Sequence, residues 1–223
     1  MADRPILFSA PMVRALLEGR KTQTRRALKP QPFIDNMGNF CSTDRFGKVW
    51  NWGQEIYPPR TPCTRNYIES EVRISIADRL WVKEAHAIVP RLAYRMSIGT
   101  GTIAQTEHPS DGYSAALFRE CFDRSGRPPW RSSIFMPRWA SRLTLIVTDV
   151  RVERLQSISE ADAVAEGCQP DDESLNPNHI GPARSIYEQL WDDINGPGAW
   201  ESNPWVAAYT FRVIQSNIDK VAA

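Results

Sequence analysis

Apolar positions along the chain recur with two spacings, and the points where one gives way to the other divide it into elements. Ile6-Leu7-Phe8 starts a strand, and Ser9-Ala10-Pro11 opens a helix, because proline in the first turn lacks only an N–H that would have no partner there. Met12, Val13, Leu16 and Leu17 fall on one face of that helix, and Gly19 stands where a left-handed stop is wanted. Arg79 to Ala85 is rich in β-forming residues and reads as a strand after the turn-like Ala77-Asp78. Leu143 to Leu155 carries the strongest strand signal: Leu143, Leu145 and Val147 alternate, then the phase shifts to Val150 and Val152. Such a shift predicts a bulge or bend, and with it a closed or strongly coiled sheet. Ser159-Glu160-Ala161-Asp162 opens a capped helix that Gly167 closes. Ala183 to Ile194 places Ile186, Leu190 and Ile194 at four-residue steps beside Tyr187 and Trp191, a core-facing helix ended by Asn195-Gly196. Trp205 to Ile214 alternates as a closing strand, and the residues after it read as a frayed tail.

Two stretches interrupt this order. From Leu28 to about Arg73 prolines, glycines and unpatterned aromatics describe an excursion from a core, with a small hairpin around Phe40 to Trp52. Its aromatics either pin the loop to the body or stack on bases. From Pro90 to Trp130 comes a second irregular excursion, with a short helix near Ser114 to Phe122. Strands lie far apart in sequence, and there is neither a βαβ alternation nor a linker between two cores. The expected architecture is therefore α+β: one domain over residues 1–223, a small mixed β-barrel with short helices at its ends and insertions at about 28–72 and 88–130.

Composition narrows the function classes. Hydrophobic residues make up 42% and charged residues 24% of the 223, the profile of a globular chain able to bury a core. A net charge of +1 confines any nucleic-acid contact to a local patch. No run approaches the roughly 18 apolar residues needed to cross a bilayer, and no secretory leader opens the chain, so the expectation is a cytoplasmic protein without a membrane partner. Cys41, Cys63, Cys121 and Cys168 form no close pair, and His86, His108 and His179 are scattered, so neither a disulfide framework nor a metal or other cofactor is signalled.

The densest chemistry lies in Gly19-Arg20-Lys21-Thr22-Gln23-Thr24-Arg25-Arg26, where four cations and two hydroxyls follow the first helix. It reads either as a solvated basic turn or as a device that positions side chains. Glu84, near the end of its strand, is a candidate partner for one of these arginines or half of a surface ion pair. Trp130 to Arg142 mixes cations with aromatics, a composition able to meet a phosphate and stack a base. Glu166 sits in the last turn of its helix, the end where the dipole disfavours a carboxylate, and this sets it apart from Glu160.

Taken together, Gly19-Arg20-Lys21-Thr22-x-Thr24-x-Arg26, Asp78-Arg79-Leu80-Trp81-Val82-Lys83-Glu84, the long strand Leu143 to Val152 and the helix Ile158 to Gly167 resemble the ASCH domain. Met136 to Arg142 and Leu190-Trp191-x-x-Ile194-Asn195-Gly196 are similar to the larger phage and prophage versions, so the resemblance covers nearly the whole chain. It implies a PUA-like β-barrel and recognition of RNA or a modified nucleobase. One branch of the family is similar to amidohydrolases that remove acyl groups from the exocyclic amine of cytidine with a lysine, a threonine and a glutamate, which by motif position fall on Lys21, Thr24 and Glu166. Arg20, Arg25, Arg26, Trp81, Glu84, Arg138 and Trp139 are candidate ligand contacts, the ligand being a nucleoside, a modified base or single-stranded RNA. A non-catalytic binding module and an ASCH-type ribonuclease are the alternatives. Ala77 departs from the pattern, since glycine often stands before the Asp of the second strand.

Overall fold

The computed structural model describes residues 1–44, 46–54, 67–68, 71–96, 103–169 and 181–221. Cys63, Tyr57 and His179 lie outside them, as do parts of both excursions. The chain divides into two compact units: Met1–Gly19, Asp78–Ile146 and Arg212–Ala223 form the first, and Arg20–Ala77 with Val147–Phe211 the second.

In the first unit, β1 (Asp3–Leu7) lies parallel to β6 (Arg79–Lys83), and the start of β10 (Thr144–Arg154) lies antiparallel to β6. Helix α1 (Ala10–Leu17) begins with Pro11 in its first turn, buries Met12, Val13, Ala15 and Leu16, and ends before Gly19 at φ +74°. A second sheet in this unit runs β7 (His86–Pro90), β9 (Ser114–Phe118), β8 (Gln105–Glu107). The excursion after Pro90 thus contains regular sheet, and the helix expected near Ser114 is a strand. Ser-Ala-Ala-Leu-Phe carries no strong local β preference. Lying between two partners, with Ala115, Ala116, Leu117 and Phe118 all buried, outweighs the helical bias of its alanines.

The described residues after β11, up to Val221, are not frayed. Arg79 donates to the carbonyls of Ile218 and Val221, Ile218 is fully buried, and the Asn217 amide donates to the carbonyls of Arg138, Trp139 and Ser141. These partners come from distant segments, so no local pattern reveals them.

In the second unit the remainder of β10 neighbours β11 (Trp205–Ile214), which pairs antiparallel with β2 (Gln23–Ala27) in a register that sets Thr24 opposite Tyr209 and Arg25 opposite Ala208. β3 (Phe33–Ile34), β4 (Asn39–Thr43) and β5 (Val49–Gln54) form a small antiparallel sheet, which contains the expected hairpin. α2 (Glu160–Ala165) and α3 (Ala183–Asn195) pack around Leu155, Ile158, Ala163, Ile186, Tyr187, Trp191, Trp200 and Val206. Burying a large aliphatic side chain of this kind contributes about 1.5–3 kcal/mol. Ile194, expected on the core face of α3, is exposed, because the buried stripe ends at Trp191.

The phase shift in β10 is present: Leu145 and Val147 are buried before it, Val150 and Val152 after it. The class is α+β with mixed sheets and few helices, and neither unit closes into a barrel among the described residues. Ala77 adopts φ +70°, a left-handed backbone that suits glycine, with a β-carbon in place. Among the described residues no helix is long and apolar enough to cross a membrane.

Candidate functional site

Two backbone hydrogen bonds decide where Lys21 goes. The Thr22 N–H donates to Ala165 O at 2.8 Å, and the Phe211 N–H donates to Thr22 O at 2.9 Å. The residues entering β2 are thereby pinned to the last turn of α2 and to β11. The segment is not a solvated turn: Lys21, Gln23, Thr24 and Arg25 are all buried, while Thr22 and Arg26 are exposed.

Lys21 Nζ donates to the Glu166 carboxylate (Oε2, 2.7 Å) and to the Glu166 carbonyl (2.6 Å), with both residues no more than 3% exposed. Glu166 is the C-cap residue directly after α2, so the ammonium meets an orphan carbonyl of the helix end as well as the carboxylate. This offsets the unfavourable position of Glu166 on the helix dipole. Burial pushes the Lys21 amine below its ordinary value, opposed by Glu166 and Cys168 and aided by Arg26.

The other oxygen of Glu166 belongs to Arg25, whose Nη1 donates to Oε1 at 3.2 Å. The same guanidinium donates to Glu153 Oε1 through Nε at 3.1 Å and Nη2 at 2.7 Å, to Gln23 Oε1 through Nη1, and lies 3.4 Å from Asp162 Oδ2. Asp162 in turn accepts from Ser159 and from Arg151 at 2.9 Å. Burial pushes the Asp162 carboxyl up, but Ser159, Arg151 and Arg25 bring it down to about 2. Tyr187, in α3, is held well above its ordinary value by burial first and then by Glu166, so it stays a neutral phenol. Cations and carboxylates here are thus matched by hydrogen bonds at close range, the condition under which buried charge is tolerated.

Of the residues singled out in the sequence, the structure brings together Lys21, Arg25 and Glu166. Thr24 is buried beside them in β2, but successive strand residues face opposite sides, and Gln23 and Arg25 share the side that Thr24 does not. Arg20 donates to Gly167 O at 3.3 Å, next to Glu166 in sequence.

The remaining candidates lie in the first unit. Glu84 is not half of a surface pair with the basic segment. It is 2% exposed and accepts two bonds from Arg142, both at 2.8 Å, with that guanidinium 4.0 Å over the Phe118 ring. Trp81 is half-buried in β6, between Pro5 of β1 and Thr144 of β10, with Lys83 Nζ 5.5 Å from its ring. Trp139 packs edge-on to His108 and against Ala116, Phe118, Met136 and Ala140. Trp130, the other ring suited to stacking a base, packs against Phe122. Arg138 is held by Asp3 and Asp219. These side chains have structural partners of their own.

Glu153, Asp162, Gln23 and Arg142 belong to buried charge networks that no local pattern in the sequence marks. Asp162 carried a signal only as a cap. Glu153 follows Val152, and both are buried, so alternation assigns it wrongly to solvent. The usable clue is a charge that falls where the strand has no exposed face left.

No family model matches the chain, and no curated protein matches it. A solved structure, protein EF3133 from Enterococcus faecalis V583, assigned to the family model DUF984, aligns over 100% of this chain and 86% of its own at a TM-score of 0.38 with 11% identity. At that score the likeness carries no argument about fold or function.

Proposed function

We propose that this chain is an ASCH-type amidohydrolase acting on N4-acylated cytosine derivatives, with Lys21 as base, Thr24 as nucleophile and Glu166 as the group that orients Lys21. The observation that carries this reading is the buried Lys21–Glu166 pair, which joins two residues 145 positions apart at 2.7 Å. A structural lysine is usually left in water. One that is buried and pushed toward its neutral form is what base catalysis near neutral pH needs.

The chemistry balances with these groups. The step requires the Thr24 hydroxyl, which faces the side of β2 away from Gln23 and Arg25, to come within reach of the Lys21 amine when substrate binds; Thr24 Oγ then attacks the acyl carbon while the neutral amine takes its proton. The tetrahedral species then collapses with Lys21 returning that proton to the leaving exocyclic amine, and water hydrolyses the Thr24 ester to free the acid. Arg26, exposed on β2, offers a cation to an oxyanion or a phosphate at the edge of this segment. A PUA-like (ASCH) relationship, with the sheets left open among the described residues, and a nucleoside ligand belong to the same proposal. A binding-only role, the alternative along with a ribonuclease, draws less support, since two of the rings it would use to stack a base, Trp139 and Trp130, pack against His108 and Phe122.

Incubation with N4-acetylcytidine, followed by chromatography, is expected to release cytidine and acetate. Lys21→Ala and Glu166→Gln are each expected to lower kcat/KM by at least about 100-fold, the scale of a lost acid–base group. Thr24→Ala is expected to abolish turnover. Full activity in Thr24→Ala would hand the nucleophile's role to water, and full activity in Lys21→Ala would overturn the reading.

A further inference from the structure

We propose that Arg25 is the positioning residue of this site: by holding one oxygen of Glu166 while Lys21 holds the other, it divides the carboxylate's charge and leaves the Lys21 amine able to exist without its proton. The inference rests on Lys21 serving as the base.

The argument is one of geometry and charge balance. Glu166 accepts from Lys21 at Oε2 and from Arg25 at Oε1, so the two cations compete for one buried anion. Arginine does not give up its proton in this range, whereas a buried lysine does. If Lys21 were the only partner of Glu166, losing its proton would strand a bare carboxylate in the interior, a costly state. With Arg25 present the carboxylate keeps one charged partner when Lys21 becomes neutral. Arg25 can serve in this way because it is itself held, by Glu153, Gln23 and Asp162, with its side chain fully buried. A planar fork with five donors spans these partners; an ammonium cannot.

Every charged or titratable group placed near Lys21 enters this balance. α2 and the turn after it supply Glu166, Cys168 and Asp162. β2 supplies Arg25 and Arg26, β10 supplies Glu153 and Arg151, α3 supplies Tyr187, and β11 supplies Tyr209. Arg25 is bonded to Glu166 through Oε1, the oxygen opposite the one that Lys21 holds.

The test reads Lys21 directly and needs no substrate. In protein carrying 13C-labelled lysine, the Lys21 Cε signal is assigned by its loss in Lys21→Arg and followed against pH. In Arg25→Gln its midpoint is expected to rise by about one unit, a tenfold change in the proton equilibrium, because a cation is lost and Glu166 turns wholly to Lys21. Arg25→Lys, which retains a cation within reach of Glu166, is expected to keep the midpoint close to that of the parent even though it loses stability. A merely structural role would make the midpoint follow stability in both variants.

Glu153→Gln covers the case in which Arg25→Gln does not fold. Freed from Glu153, the guanidinium leans further onto Glu166, and the Lys21 midpoint is expected to fall. An unchanged or lowered midpoint in Arg25→Gln, or an unchanged or raised one in Glu153→Gln, would overturn the proposal. In the active enzyme the acid limb of kcat/KM against pH should move with the NMR midpoint. Absence of turnover in the parent would defeat the amidohydrolase reading while leaving the titration result intact.

Discussion

Arg142 shows how much rests on one side chain. Its guanidinium binds both oxygens of Glu84, touches the Glu120 carbonyl at 3.4 Å and covers Phe118, so it neutralises a carboxylate that is otherwise surrounded by protein. Burial pushes the Glu84 carboxyl up, and Arg142 opposes this. Removing the cation alone strands the charge. Arg142→Met is therefore expected to lower the free energy of unfolding by about 3–5 kcal/mol, whereas Arg142→Met combined with Glu84→Met recovers most of that loss. Urea titration of the two variants decides it, and equal losses in both would show that packing rather than charge is at stake. The candidacy of Glu84 was legible in the sequence; the identity of its partner was not, because 58 positions separate it from Arg142.

Among the elements, α2 is the one whose ends matter most. It has six residues, too few to be stable as an isolated helix, and it delivers Glu166 to Lys21. Its start is secured by the Ser159 side chain accepting from the Asp162 N–H at 3.1 Å, while Asp162 reaches back to the Ser159 N–H and hydroxyl. Ser159→Ala is expected to cost about 1 kcal/mol in thermal unfolding. It should also weaken turnover, because Asp162 is shared with Arg25 and Arg151. A loss of stability with kcat unchanged would show that the cap acts on the helix alone. This helix, its cap and its glycine stop were readable because each is local. The same holds for α1, α3 and the phase shift in β10. The strand at Ser114–Phe118 was not readable, since its pairing on both edges has no local signature.

For the whole molecule, the informative variable is pH. His86 in the first unit is fully buried, its Nε2 has no hydrogen-bond partner among the described residues, and its Nδ1 lies 3.3 Å from Glu84 O. Burial lowers its pKa from 6.5, Glu84 O opposes this, and Arg131 and Lys83 lower it further. In the window below 6.5 the unfolded chain binds a proton that the folded chain does not, so stability falls as pH drops from 6.5 toward the folded value. Glu84, raised from 4.5, acts with the opposite sign: it favours the folded state as pH falls through its raised value. The difference between parent and His86→Leu isolates the histidine. The parent is expected to lose stability relative to the variant as pH falls below 6.5, measured by urea unfolding at a series of pH values. Parallel curves would show that His86 is not the group responsible.

The sequence alone determined what short-range chemistry determines. It set helix starts and stops, because caps, proline and glycine act within a few residues, and it set the strongest strands, because alternation is visible in a single segment. It also marked Lys21, Arg25 and Glu166 as unusual by density of charge and by position on a helix dipole. Only the tertiary structure decided that Lys21 and Arg25 are buried rather than solvated, and that they share one carboxylate. The reason is physical: a charge can leave water only where opposite charges from distant segments meet it, and those meetings are set by sheet register and by two backbone hydrogen bonds at Thr22.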